Sequence, residues 1–238
     1  MTATVARDRL ILALDVPSAD EAVRLMQQVG DAVSFVKIGL ELYTAAGPDI
    51  VKRALGLGKR VFLDLKFLDI DETVRRATAR VADLGVDLLT VHANRKALAA
   101  AVAGRGHRPL KLLAVTVLTN FDSDDLRDMG VQWGVADLVA ARAKLAAEVG
   151  CDGVVASGEE PAAIRRTVGS TLLIVTPGIR PAGKGVDDHA RPTTPTQSIK
   201  AGSDYLVVGR PIRDADDPRT AAEAIVAEMQ AAFDARLG

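Results

Sequence analysis

The chain has 238 residues, with 30 basic against 31 acidic side chains, 48% apolar residues, 26% charged ones and a single cysteine. An apolar fraction near half excludes a disordered chain, which lacks the surface to offset its ordering entropy, and a formal charge of -1 with both signs interspersed excludes the electrostatic footprint of a nucleic-acid-binding protein. No apolar stretch approaches the roughly 18 residues of a membrane span, no cleavable leader follows Arg7 to Arg9, and Cys151 has no companion for a disulfide or metal site, so a cytoplasmic protein without membrane partners is expected.

The first apolar run is Leu10 to Leu14, followed by Ser18 as a helix cap and a helical stretch over Ala19 to Val29. The second is Val33 to Ile38. Val61 to Leu65 comes third, with helical periodicity over Thr73 to Leu84, then Leu88 to His92, then Leu110 to Leu118 with a helix over Val135 to Val149. Gly153 to Ala156, Leu172 to Thr176 and Tyr205 to Val208 complete the set. Strand then helix, eight times, predicts an α/β protein of (βα)8 TIM-barrel class, a single domain over 1–238. A doubly wound open sheet is the alternative, but no Gly-x-Gly-x-x-Gly follows the first strand, and eight units exceed what such sheets usually carry.

Barrel chemistry sits at the C-terminal strand ends. There the sequence places Asp15, then Lys37, then Asp64 and Lys66 with Asp69 beyond, then His92, Thr116 and Thr119. The later ends carry Ser157-Gly158, Thr176 to Arg180, and Gly209-Arg210, the last a Gly-Arg pair where barrels often bind phosphate. Period-two alternation puts Ile11, Ala13 and Asp15 on one face, Phe35 with Lys37, and Asp64 with Lys66. Burying such charges is costly unless they pair, and paired networks are a poor way to gain stability, so the array reads as functional. His92 reads as a hydrogen-bonded core histidine rather than a metal ligand, because no second His or Cys lies at ligand spacing, and His107 reads as a solvated loop residue.

Leu-Asp-Val-Pro at 14–17, Val-Lys-Ile-Gly-Leu at 36–40, Phe-Leu-Asp-Leu-Lys-Phe-x-Asp-Ile at 62–70, Thr-Pro-Gly-Ile-Arg-Pro at 176–181 and Val-Val-Gly-Arg-Pro-Ile at 207–212 occur in one order along the chain. In these motifs the whole sequence resembles the orotidine 5'-phosphate decarboxylase family. The resemblance implies a (βα)8 homodimer, working without metal or organic cofactor, that converts orotidine 5'-phosphate to uridine 5'-phosphate in pyrimidine biosynthesis. It also implies a charge array of Lys37, Asp64, Lys66 and Asp69, with Lys66 as proton donor and Asp69 reaching the neighbouring subunit's site. Asp15 and Lys37 would hold the ribose hydroxyls, Thr73 would add a contact across the dimer, and Thr119 would touch the pyrimidine. Arg180, Gly209 and Arg210 would bind phosphate, and the guanidinium of Arg210 matches phosphate geometry on independent grounds.

The sequence departs from the family pattern in two places. Leu68 stands where the family has His, and Asp71 and Glu72 replace a proline and a neutral amide. Those two acids read either as favourable charge in the first turn of a helix or as a more negative site. The second departure is His189, which stands where a bridging Gln is usual, so a two-way contact to base and phosphate becomes a one-donor contact that gains phosphate affinity when the ring is charged. Segment 178–195, rich in Pro and Gly and without apolar periodicity, is expected to be a mobile phosphate-binding lid. Two other readings remain open: a relative acting on another phosphorylated substrate, and a non-catalytic nucleotide-binding protein.

Overall fold

The computed structural model describes residues 5–181 and 193–237. Eight strands, β1 (Leu10–Ala13), β2 (Phe35–Gly39), β3 (Arg60–Phe67), β4 (Leu88–His92), β5 (Lys111–Val115), β6 (Gly153–Val155), β7 (Leu173–Thr176) and β8 (Tyr205–Val208), pair in parallel and in chain order. The sheet closes where β1 meets β8, with Leu10 opposite Leu206 and Leu12 opposite Val208. Around it lie α1 (Ala19–Val29), α2 (Leu40–Ala46), α3 (Asp49–Gly56), α4 (Asp71–Asp83), α5 (Arg95–Arg105), α6 (Ser123–Asp128), α7 (Val135–Val149), α8 (Pro161–Val168), α9 (Pro195–Ala201), α10 (Arg210–Arg213) and α11 (Pro218–Leu237). The predicted (βα)8 TIM barrel is therefore what the chain forms. No described helix is long and apolar enough to cross a membrane.

Two apolar layers follow from strand alternation. Ile11, Ala13, Phe35, Phe62, Leu88, Leu113, Val175, Tyr205 and Val207 fill the barrel, while Leu10, Leu12, Val36, Ile38, Val61, Leu63 and Leu89 face the helices. Phe35 and Phe62 are each almost fully buried, and removing such a ring from water stabilises the fold by roughly 1.5–3 kcal/mol. At the barrel floor the Phe35 and Tyr205 rings meet edge to face at 6.0 Å, with the Arg60 guanidinium 4.2 Å over Phe35. With the floor filled, a ligand has room at the opposite, C-terminal end.

The helices obey the expected local chemistry. Ser18 Oγ accepts the Glu21 amide at 3.3 Å, and α1 then buries Ala22, Leu25, Met26 and Val29, the i, i+3, i+4, i+7 stripe of an amphipathic helix. Gly104 lies inside α5 because α4 crosses there: a Cβ at that position would stand 2.2 Å from the Arg75 carbonyl oxygen. Strand five ends at Val115 rather than Leu118, so Val117 and Leu118 are free to line the barrel mouth.

Candidate active site

A cavity of about 430 Å³ opens at the C-terminal mouth. Asp15, Lys37, Asp64, Lys66, Thr119, Arg180, Gly209 and Arg210 all line it, so eight residues singled out from sequence converge on one space. Val115, Val117, Leu118, Val155 and Val207 give the same cavity an apolar wall, suited to one face of a planar ring.

The charged side forms a chain of contacts. Lys37 Nζ lies 2.9 Å from Asp15 Oδ1 and 3.7 Å from Asp64 Oδ2, and Lys66 Nζ lies 2.9 Å from the same Asp64 oxygen. Two ammonium groups thus share one carboxylate whose side chain is only 14% exposed. Gly39 keeps this chain open, since a Cβ there would fall 3.2 Å from both Asp15 Oδ1 and Lys37 Nζ. Burial alone would raise the Asp64 carboxyl, but the Lys37 and Lys66 charges, with hydrogen bonds from Lys66 and Thr90, hold it below the ordinary carboxylate range. A carboxyl depressed in the folded chain keeps its contribution to stability above its unfolded value near 3.8 and loses it as pH falls through the lower folded value. Asp64 is accordingly an anion throughout the neutral range.

Lys66 reaches the cavity by an unusual route. Between the paired residues Leu63–Leu89 and Phe67–Val91, three residues of β3 (Asp64, Leu65, Lys66) stand opposite a single residue of β4, Thr90. Lys66 takes up the extra length in the left-handed region, φ 50°, the one non-glycine residue among those described with positive φ. Such a conformation costs on the order of 1–2 kcal/mol. Simple alternation names the right residue, but the lysine points into the mouth because the strand is bulged.

Other strand-end residues do not join the site. Thr116 Oγ1 donates to the Val155 carbonyl at 2.9 Å, and Thr176 and Ser203 share a buried hydroxyl contact at 2.7 Å. Ser157 is buried and gives its backbone amide to Glu160 Oε2 at 2.8 Å. His92 is half-buried, and its ring makes no hydrogen bond to another described residue, which corrects the expectation of a hydrogen-bonded core histidine. Burial first, then the charges of Lys66 and Arg142, push its imidazole below the ordinary value, so it is neutral at neutral pH. His107 is exposed, as expected.

Asp69 and Thr73 do not line the cavity of their own chain. Asp69 is exposed and accepts the Ile70 amide at 2.6 Å, and Thr73 is exposed on the first turn of α4. Asp71 and Glu72 open that helix and also lie outside the cavity. Hydrogen bonds from Arg75 and then Arg76 lower the Glu72 carboxyl to about 2. Its charge is balanced by its own helix, which favours the first-turn reading over a more negative site. His189 and the middle of segment 178–195 lie outside the described residues.

Two residues escaped the sequence reading. Thr90, fully buried behind the array, donates to Asp64 Oδ1 at 2.8 Å and accepts the Lys66 amide at 2.9 Å. Its signal was its phase with Leu88 on an inward strand face. Arg213 lines the cavity from α10, donates to the Asp15 carbonyl at 2.7 Å and pairs with Asp214 at 2.6 Å. No motif or spacing pointed to it.

A family model described as "Orotidine 5'-phosphate decarboxylase / HUMPS family" matches residues 8–225. An orotidine 5'-phosphate decarboxylase of Nitrobacter winogradskyi is 49% identical over 225 residues, 94% of each chain. One of Rhodopseudomonas palustris is 52% identical over 223 residues, covering 94% of this chain and 95% of the relative. Among solved structures, the orotidine 5'-phosphate decarboxylase of Lactobacillus acidophilus superposes with a TM-score of 0.83 at 38% identity, covering 93% of this chain and 99% of that one.

Proposed function

The chain belongs to the orotidine 5'-phosphate decarboxylase family, and from that premise we propose that its barrel mouth releases carbon dioxide by protonating C6 of the pyrimidine from the Lys66 ammonium. The reaction is the decarboxylation of orotidine 5'-phosphate to uridine 5'-phosphate, a step of pyrimidine biosynthesis. The observation that carries the mechanism is the sharing of the buried Asp64 carboxylate by Lys37 and Lys66 on the wall of a cavity that Arg180 and Arg210 also line.

When the bond from C6 to the carboxylate breaks, its electron pair stays on C6, where no neighbouring electron sink exists. A cation must therefore sit where charge develops, and a proton must arrive there. The Lys66 ammonium supplies both and later recovers its proton from water. Asp64, fixed as an anion, holds that ammonium in place before substrate arrives. Asp15 and Lys37 hold the ribose hydroxyls, Thr119 contacts the base, and Arg180, Gly209 and Arg210 take the phosphate, whose binding energy is realised far from C6. Because the proton comes from a side chain, the step needs neither metal nor organic cofactor. The test is loss of the pyrimidine ultraviolet absorbance when the protein meets orotidine 5'-phosphate with EDTA present. Rapid loss is expected, and none would overturn the reading.

We further propose that segment 178–195 closes over the phosphate; its composition and its start at cavity residues Gly178 and Arg180 support this. Trypsin is expected to cut within Arg180 to Arg191, and uridine 5'-phosphate to slow that cut. Equal cleavage with and without ligand counts against closure. Within that segment His189 is proposed to face the phosphate. Affinity for uridine 5'-phosphate should then rise as pH falls through about 6.5, the ordinary histidine value. The ligand's own second ionisation, near about 6, works in the opposite sense. The measurement is therefore the difference between the wild-type pH profile and that of His189→Ala; superimposable profiles would sink the assignment.

Finally, we propose a homodimer in which Asp69 and Thr73 complete the partner's site. Support comes from the exposed Asp69 carboxylate, absent from its own cavity and flanked by Leu68 and Ile70, which are 59% and 72% exposed. A large apolar pair left in water on both sides of a carboxylate suits a subunit contact.

A further inference from the structure

We infer that Thr90 is the positioning residue of the reaction: its one hydroxyl sets both the direction of the Asp64 carboxylate and the left-handed backbone of Lys66, and so aims the proton donor. The inference rests on the reading of Lys66 as that donor.

The argument begins with the bulge. Three residues of β3 face Thr90 alone, so the regular ladder cannot supply every backbone group between Leu63 and Phe67 with a partner. The Lys66 amide finds its acceptor in Thr90 Oγ1 at 2.9 Å. The same oxygen gives its hydrogen to Asp64 Oδ1 at 2.8 Å, while Asp64 Oδ2 lies 2.9 Å from Lys66 Nζ. The result is a closed loop of contacts that runs from the Lys66 backbone through Thr90 and Asp64 to the Lys66 side chain. Each end of the donor is tied to one buried hydroxyl.

The chemistry of a hydroxyl fits this place. It is the smallest side-chain group that accepts and donates at once, and a β-branched residue has a restricted χ1 that holds the oxygen still. Thr90 is fully buried and does not line the cavity, so it has no path to the substrate and acts only through its two partners. A left-handed lysine persists only where its surroundings over-determine it. Without the hydroxyl, the Lys66 amide and one Asp64 oxygen lose their partners, and the ammonium is no longer delivered to one point.

A loss of aim should appear in turnover rather than in binding, because the phosphate and ribose contacts lie elsewhere in the cavity. Thr90→Val, nearly isosteric, is expected to lower kcat by about 10- to 100-fold, the scale of a misplacement near 1 Å, with KM and the affinity for uridine 5'-phosphate unchanged. Thr90→Ser, which keeps the hydroxyl, should restore kcat. If Thr90→Val does not fold, Thr90→Cys, with a weak donor and acceptor, takes its place with the same expected split. Two results overturn the inference: a folded variant without the hydroxyl that turns over at the wild-type rate, or a loss of turnover matched by a loss of nucleotide affinity that serine does not recover. Lys66→Ala measured alongside keeps the two readings apart. If that variant still turns over, the donor assignment fails, whatever Thr90 does.

Discussion

Lys66→Ala is expected to lower kcat for orotidine 5'-phosphate on the order of 10,000-fold, with the affinity for uridine 5'-phosphate largely kept. Two effects disappear together: the proton for C6 and the cation facing the developing negative charge. Positioned acid catalysis is worth about 10²- to 10⁴-fold and a preorganised charge about 10²- to 10³-fold, and they are not simply additive when one group supplies both. Lys66→Arg separates them. Arginine keeps the cation but does not give up a proton in a protein, so it should recover little of the loss. A fast Lys66→Ala enzyme would remove lysine from the mechanism. The carboxylate side also has a signature: Asp64 stands as an anion between two ammonium groups, so Asp64→Asn leaves Lys37 and Lys66 3.7 Å and 2.9 Å from a neutral amide. Removing one member of a buried ionic cluster strands the others and costs stability as well as rate, typically about 3–5 kcal/mol.

Why the barrel and most of its mouth were legible in the sequence can be seen at Asp15, Lys37 and Asp64. Each follows a run whose inward face is apolar (Ile11 and Ala13, Phe35, Phe62), so a period of two carries the phase outward to the first charged residue at the strand end. The same reasoning reaches Lys66, two residues beyond Asp64, but not the reason it points inward, because a bulge depends on how β3 registers with β4 and the pattern along β3 alone does not contain that. Thr90 showed only its inward phase with Leu88, and its part in the site was hidden for the same cause: its value comes from the strand opposite. Arg213 was invisible because it acts through the Asp15 carbonyl, and backbone partners leave no trace in residue type. His92 shows the converse error. A strand-end histidine suggests a hydrogen-bonded ring, yet the ring has no hydrogen-bond partner among the described residues, and burial, then the Lys66 and Arg142 charges, outweigh the Asp64 carboxylate and hold its imidazole below the ordinary value. The charges of Asp71 and Glu72 were plain, but the local balance of Glu72 by Arg75 and Arg76 required the helix that places those arginines three and four residues on, on the same face.

The proposal that Asp69 completes the partner's site is tested directly by mixing subunits. Asp69→Asn alone is expected to lower kcat by roughly 10²-fold, since a carboxylate on the second side of the Lys66 ammonium would be lost. Lys66→Ala is inactive for its own reason. In a two-fold dimer whose sites draw Lys66 from one chain and Asp69 from the other, a heterodimer of the two variants has one site carrying both changes and one site carrying neither. Random reassortment makes about half the dimers mixed, with one intact site in each, so unfolding and refolding the two inactive proteins together should recover about a quarter of the wild-type activity. If instead Asp69 serves its own chain, every site retains a defect and mixing yields nothing. The exposed position of Asp69 between Leu68 and Ile70 predicts recovery, because within one chain that carboxylate is spent on the Ile70 amide at 2.6 Å and does not line the cavity it is needed in.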